Sequence, residues 1–107
     1  MAVKHVVLMK FKKTTPPETI DQIFAGFANL RNYVRGLLDF SGGPYSSPEG
    51  LHRGYTHCFV MTFIDAGARD AYLPDPAHVG MVNWFMPEIE GGVNGILVFD
   101  YEYNPSK

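Results

Sequence analysis

The chain has 107 residues, room for one domain with its own core, so we expect a single domain over residues 1–107. A composition of 46% hydrophobic and 19% charged residues excludes a disordered chain, and the net charge of −2 offers nucleic acid no basic surface. The lone Cys58 excludes an internal disulfide, and no apolar run reaches membrane-spanning length. We therefore expect a cytoplasmic protein that binds neither nucleic acid nor membrane.

The first half of the chain predicts a strand, a helix and a second, short strand. Residues 3–11 alternate in the manner of a half-buried strand. Thr15 and Glu18 have the spacing of a capping box, and apolar residues at helical spacing follow them, so a helix should begin here. Gly36 is suited to end that helix, and a short strand is predicted over 37–41.

The second half of the chain repeats the pattern with a longer strand. Alternation predicts a strand over 55–64, after which Asp65 can cap a helix over 66–73. A further helical stretch is predicted over 77–85, and a last strand over 96–103. The order β-α-β-β-α-β predicts an α+β, ferredoxin-like fold, a four-stranded antiparallel sheet with its helices on one face.

Helices on one face leave the other face of the sheet exposed in a monomer. Strand alternation assigns to this second face Val6, Leu8, Cys58, Val60, Ile64, Ile96 and Val98. An apolar patch of this kind favours a partner, and a homodimer that packs sheet against sheet is the simplest cover. The polar rim of such an interface would comprise Lys4, Lys10, Asp100 and Glu102.

Two histidines, His5 and His57, fall on the face that the helices should cover, among apolar side chains. A lone histidine in such a place is more often a hydrogen-bonded core residue. Two on one face, with a third nearby, favour a polar pocket instead. The pattern supports both interpretations equally well.

His78 lies in the opening turn of the third predicted helix, after Asp75 as cap and Pro76 at the first helical position. The positive end of the helix dipole disfavours an imidazolium, which makes neutral His78 a candidate base. Tyr72, at the end of the preceding helix, could donate a hydrogen bond to a carbonyl. The alternative is that His78 packs at a loop and Tyr72 is a core aromatic residue.

Three histidines also raise the question of a metal. The positions of His5, His57 and His78 match no local ligand motif, and no carboxylate is placed as a partner, so we predict no metal site. His52 lies in a predicted loop beside Arg53 and should be exposed.

The chain resembles a known family in several segments: Ala2-Val3-Lys4-His5, Gly54-Tyr55-Thr56-His57, Tyr72, Asp75-Pro76-Ala77-His78-Val79-Gly80 and Phe99-Asp100-Tyr101. In them it is similar to the stress-responsive A/B-barrel (Dabb) family over nearly its whole length. The most specific piece is the Pro-Ala-His-Val run after the helix that carries Tyr72. This resemblance implies a ferredoxin-like dimeric α+β barrel.

Within that family, similarity to a polyketide cyclase implies the intramolecular aldol closure of a linear, polyketide-like ligand, with no cofactor. The resemblance implies that His78 acts as the base and that Tyr72 polarises a carbonyl. It also implies that His5 and His57 bind substrate in the same pocket. The remaining walls that it implies are Val7, Met9, Phe24, Phe27 and Phe59.

Two other functions compete with the cyclase. A non-enzymatic stress-response or small-ligand-binding domain would use the histidines as structural or ligand-binding groups. A monooxygenase-like or haem-handling protein would use the same barrel for different chemistry, and the presence of Trp84 with His78 does not separate these alternatives.

Overall fold

The computed structural model describes residues 1–106. Its strands and helices are β1 (Ala2–Met9), α1 (Pro17–Asn29), β2 (Leu37–Pro44), β3 (His57–Phe63), α2 (Ala66–Tyr72), α3 (Pro76–Phe85) and β4 (Ile96–Tyr103). The four strands form one antiparallel sheet in the order β2-β3-β1-β4. The prediction of a ferredoxin-like α+β fold is confirmed. No helix within the described residues is long and apolar enough to cross a membrane.

The core lies between the helices and one face of the sheet, which we call the helix face. Alternate side chains of β1 point into it, and Val3 and Met9 are fully buried there. The neighbouring strand adds Phe59, Met61 and Phe63 through its pairing with β1. Alternation on the central strands therefore predicts correctly which face of the sheet their core side chains line.

The first helix differs from its prediction at both ends. Thr15 does not cap it, because the helix begins one residue later and Pro16 occupies the cap position. The Thr15 hydroxyl donates instead to the carbonyl of Glu88 at 3.3 Å. The helix ends at Asn29 and continues as a 3-10 turn over Leu30–Asn32. A capping box depends on a local hydrogen bond, and here a distant segment of the chain captures the threonine side chain.

The second strand runs to Pro44, longer than predicted, and contains Gly42. A Cβ at this position would lie 2.7 Å from the ring of Phe24, so only glycine lets α1 approach the strand this closely. Gly42 weakens the sequence pattern from which the strand is predicted, but the packing of α1 against β2 requires a glycine there.

The assignment of β4 side chains to the two faces was wrong. Val98 pairs with Val7 and Asp100 pairs with His5, so β4 residues with even numbers lie on the helix face. This corrects the positions of Ile96, Val98, Asp100 and Glu102. Both faces of β4 carry apolar residues, so the register with β1, rather than the pattern of β4 itself, decides the orientation.

The opposite side of the sheet, which we call the open face, is apolar as predicted, although β4 contributes different residues to it. It comprises Val6, Leu8, Cys58, Val60, Leu97, Phe99 and Tyr101. Phe99 is 65% exposed and Leu97 46%. Ile64 lies just beyond β3 and is also exposed. Lys4 remains at the end of this face, where its ammonium donates to Thr62 at 2.7 Å and lies over the ring of Tyr103.

Candidate functional site

A cavity of about 200 Å³ lies on the helix face between the sheet and α3. It is lined by His5, Val7, Phe27, Phe59, Leu73, His78, Val82, Phe85, Met86, Ile96 and Val98. All of these side chains are apolar except the two histidines. An apolar cavity with a few convergent polar groups is the usual form of a small-molecule site. The structure thus brings His5 and His78 together with Val7, Phe27 and Phe59 in one cavity.

His5 is buried on β1 and its ring is held by Asp100 of β4. The Nδ1 atom lies 2.8 Å from Oδ1 of Asp100. A carboxylate only accepts hydrogen bonds, so Nδ1 carries the proton and, in the neutral ring, Nε2 carries the lone pair. Burial lowers the pKa of His5, and the nearby charge of Asp100 offsets this only in part. The lowered pKa favours the neutral form of His5.

His78 is placed by the start of α3. Asp75 caps the helix by accepting from the backbone N–H of Ala77 at 2.8 Å, and Pro76 occupies the first turn. The ring Nδ1 of His78 lies 2.8 Å from the carbonyl oxygen of Leu73, at the end of α2. A carbonyl also only accepts, so Nδ1 is again the protonated atom and Nε2 is free to act as a base. The predicted cap and helix start are confirmed.

Tyr72 ends α2 and packs against both histidines. Its ring centroid lies 4.3 Å from that of His78 and 6.1 Å from that of His5. The hydroxyl is fully buried and has no hydrogen-bond partner among residues 1–106. Burial, helped by the charge of Asp75, raises the pKa of Tyr72, so the phenol keeps its proton at every physiological pH. Tyr72 supports the cavity wall and does not itself line the cavity.

His57, Met9 and Phe24 lie outside this cavity. The His57 Nδ1 atom is 2.9 Å from the Thr56 hydroxyl, and its ring packs on Phe11 and Phe24 with centroids 5.0 and 5.7 Å away. Met9 is a fully buried core residue. The resemblance implies that His57 shares one pocket with His5 and His78, but the structure separates them. His57 pairs with Met9, at the end of the β1–β3 pair away from His5, and lines a separate, smaller cleft.

The buried imidazoles predict that stability falls in mild acid. Burial lowers the pKa of both His5 and His57 in the folded protein, so the unfolded chain binds more protons below about pH 6.5. We expect the free energy of unfolding, measured by urea titration, to be lower at pH 5 than at pH 7.5. His5→Gln should make this pH dependence shallower. Equal or greater stability at pH 5 would contradict the argument.

Asp100 and Arg69 are the site residues that sequence reasoning missed. Arg69 of α2 donates from Nη1 to Oδ2 of Asp100 at 2.7 Å, so the carboxylate joins it to His5. The sequence-based prediction that Asp100 lies on the other face of the sheet is wrong, and no local motif links residues so far apart in the chain. The sequence signal for Asp100 is its place in the Phe99-Asp100-Tyr101 segment that carries the family resemblance. The pairing of β4 with β1 then sets Asp100 beside His5. Within the part of the chain that the structure describes, no cluster of three or more metal-ligating side chains occurs.

Comparisons with known proteins agree with this fold. The family described as the stress responsive A/B barrel domain (Dabb) matches residues 3–103. The stress-response A/B barrel domain-containing protein HS1 of Arabidopsis thaliana is 40% identical over 94% of this chain and 88% of its own. Olivetolic acid cyclase of Cannabis sativa is 31% identical over 94% of this chain and 96% of its own.

Two solved structures are also similar. Hydroxynitrile lyase from Passiflora edulis has a TM-score of 0.85 and 26% identity, with 97% of this chain and 94% of the lyase covered. A dimeric ferredoxin-like protein from Jannaschia sp. CCS1 has a TM-score of 0.86 and 28% identity, with 96% of this chain and all of that one covered. The family match extends over almost the whole chain, which therefore belongs to the Dabb family of stress-responsive A/B barrel domains.

Proposed function

We propose that the chain is a cofactor-free enzyme that closes a polyketide-like, poly-carbonyl substrate by an intramolecular aldol reaction. The observation that carries this proposal is the pair of imidazoles in one apolar cavity, each with Nδ1 tied to an acceptor. That arrangement leaves Nε2 of each ring as a base. The phenol of Tyr72, which has no hydrogen-bond partner among residues 1–106, adjoins both rings.

In this reaction, His78 Nε2 removes a proton from a carbon between two carbonyl groups. The enolate carbon attacks a distant carbonyl carbon of the same molecule, which forms the new C–C bond and turns that carbonyl oxygen into an alkoxide. The Tyr72 hydroxyl lies behind the cavity wall in the ligand-free structure, so it must turn into the cavity to donate a hydrogen bond to this oxygen while its charge develops. The imidazolium of His78 then returns the proton to the oxygen. The step keeps every atom of the substrate and needs no oxidant or reductant.

The relatives support a reaction at a carbonyl carbon. One of them is named as an olivetolic acid cyclase and another as a hydroxynitrile lyase. An aldol closure and the addition of cyanide to a carbonyl, which is the reverse of hydroxynitrile cleavage, both require a base for an acidic proton and a donor at a carbonyl oxygen. The same two groups, His78 and Tyr72, would meet that requirement in this chain.

The size of the cavity limits the substrate. An apolar cavity of about 150 Å³ accommodates a benzene ring, and the cavity here is about 200 Å³. It fits a single six-membered ring with a short apolar substituent. Leu73 and Val98 are both substantially exposed and mark its entrance.

The test is to incubate the purified chain with linear tri-carbonyl thioesters that carry alkyl tails of increasing length. We expect a cyclic product, followed by ultraviolet absorbance and mass spectrometry, with short tails turned over fastest. Cyclisation at the rate of the enzyme-free reaction for every tail length would refute the proposal.

A second function, binding of a small apolar ligand without turnover, is favoured by the lining of the cavity, which is apolar apart from His5 and His78. The Arabidopsis relative is named only for its stress-response domain. In that case a short-chain alkylbenzene should bind equally well to the wild-type chain and to His78→Ala, and no product should form.

We also propose that the chain is a homodimer that packs its open face against the same face of a second copy. Phe99 and Leu97 project from β4 beside Val6 and Leu8 of β1, which makes a continuous apolar surface. Such a surface is unfavourable in water and suits a self-complementary interface. The similar protein from Jannaschia is described as dimeric.

Phe99→Asp is expected to convert this dimer to a monomer, because the substitution would bury a carboxylate at the centre of an apolar interface. Sedimentation velocity at micromolar concentration gives the measurement. The matched control is Tyr33→Asp, which changes an aromatic residue that is 73% exposed, follows the 3-10 turn after α1 and is not part of the open face. A wild-type chain that sediments as a monomer would contradict the assignment.

A further inference from the structure

Three side chains form a continuous line from the surface to the cavity. Arg69 of α2 donates to Oδ2 of Asp100 at 2.7 Å, and the other carboxylate oxygen accepts from His5 Nδ1 at 2.8 Å. The exposed fractions of the side chains are 21% for Arg69, 19% for Asp100 and 7% for His5. Solvent exposure therefore decreases along the line from Arg69 to His5.

The two hydrogen bonds restrain the carboxylate of Asp100 at both oxygens. Hydrogen bonds between ionised groups are short and strong, and those of an arginine are directional. Arg69 is itself held on its other side, where Nε donates to Asp70 at 2.7 Å. Asp100 cannot rotate away from His5 without breaking the bond to Arg69.

The charges along this line act on His5 in opposite directions. Asp100 by itself favours the imidazolium form, whereas Arg69, the ring of His78 and burial all favour the neutral ring. The fourth group that faces His5 is Tyr72, whose phenol stays uncharged. Arg69 is the permanent positive charge that balances the carboxylate.

We propose that Arg69 is a positioning residue that, through Asp100, holds His5 as the neutral tautomer with Nδ1 protonated and Nε2 free. The cavity then contains a second basic imidazole nitrogen in addition to that of His78. The inference rests on the proposed function in one respect, namely that the reaction uses this second nitrogen.

Because both Nε2 atoms carry a free lone pair, the histidines can only accept hydrogen bonds from a ligand in the cavity. Its ligands should therefore present hydrogen-bond donors or acidic protons to the histidines, as the enol form of a 1,3-dicarbonyl or a phenol does. A ligand that offers only carbonyl oxygens has no donor to meet either ring. This preference narrows the substrate class to compounds that enolise readily.

The test is a long-range 1H–15N NMR titration of ligand-free protein, which reports the tautomer and the pKa of each histidine separately. In the wild-type chain we expect His5 at pH 7.5 to be neutral with the proton on Nδ1. Arg69→Gln should raise the pKa of His5, because the charge of Asp100 is no longer balanced. Asp100→Asn should lower it.

If the pKa of His5 shifts in opposite directions in Arg69→Gln and Asp100→Asn, the balance of charge is the cause. A loss of structure would shift this pKa in the same direction in both variants. Arg69→Lys retains the charge and should stay close to the wild-type titration. Arg31→Gln removes a surface arginine whose partner Asp39 is 3.7 Å away, and should have no effect on His5.

The inference is overturned if wild-type His5 carries its proton on Nε2 or is an imidazolium at pH 7.5, a result that needs no variant. It is also overturned if Arg69→Gln leaves the pKa of His5 unchanged. Because the measurement uses no substrate, it is independent of turnover. A chain that shows the expected titration but no cyclisation would refute the proposed function alone.

Discussion

His78→Ala is expected to lower the rate of cyclisation by at least about a hundredfold, the usual contribution of a positioned general base. The substitution removes the nitrogen that would take the substrate proton and leaves the cavity otherwise intact. It also removes one hydrogen bond, from Nδ1 to the carbonyl of Leu73. That loss costs about 1 kcal/mol at a partly exposed site, so the Tm should fall by only a few degrees.

The matched control for this variant is His52→Ala. His52 is exposed in a loop, where its ring stacks on Tyr45 with centroids 3.7 Å apart, and it lies outside the cavity. We expect its rate of cyclisation to match that of the wild type. If His78→Ala cyclises the substrate at the wild-type rate, His78 is not the base. If its thermal stability collapses, the residue is structural.

Tyr72→Phe is expected to change activity and stability in opposite directions. The hydroxyl of Tyr72 is buried and has no partner among the described residues, which is unfavourable in the ligand-free protein. Its removal should raise the free energy of unfolding by about 1 kcal/mol, which corresponds to an increase of roughly 4 °C in Tm. The same change should lower the rate of cyclisation by about a hundredfold, because it removes the donor to the developing alkoxide.

Urea unfolding and a cyclisation assay on the same preparation test both parts. Tyr33→Phe removes the hydroxyl of an exposed tyrosine and should change neither quantity. Destabilisation by Tyr72→Phe would show that the hydroxyl has a hydrogen-bond partner after all. An unchanged rate of cyclisation would remove Tyr72 from the mechanism.

The fold could be predicted from the sequence because its signals are local. Alternation on β1 and β3 identifies their buried side chains, and Asp65 and Asp75 mark the starts of α2 and α3 by hydrogen bonds within one turn. The helical position of His78 and its proximity to Tyr72 follow from the same local chemistry, since only five residues separate them in the chain.

Only the tertiary structure decided which residues meet in the cavity. His5 and Asp100 lie at opposite ends of the chain, and the register of β4 against β1 brings them together. Apolar residues occur at both even and odd positions of β4, so its sequence does not determine which of its side chains face the core. The prediction that Asp100 lies on the open face is wrong for this reason. His57 illustrates the same limit: it shares a sheet face with His5, but its place along that face separates it from the cavity. Local hydrogen bonds and alternation are encoded within a few residues, whereas the composition of a site depends on contacts between distant strands.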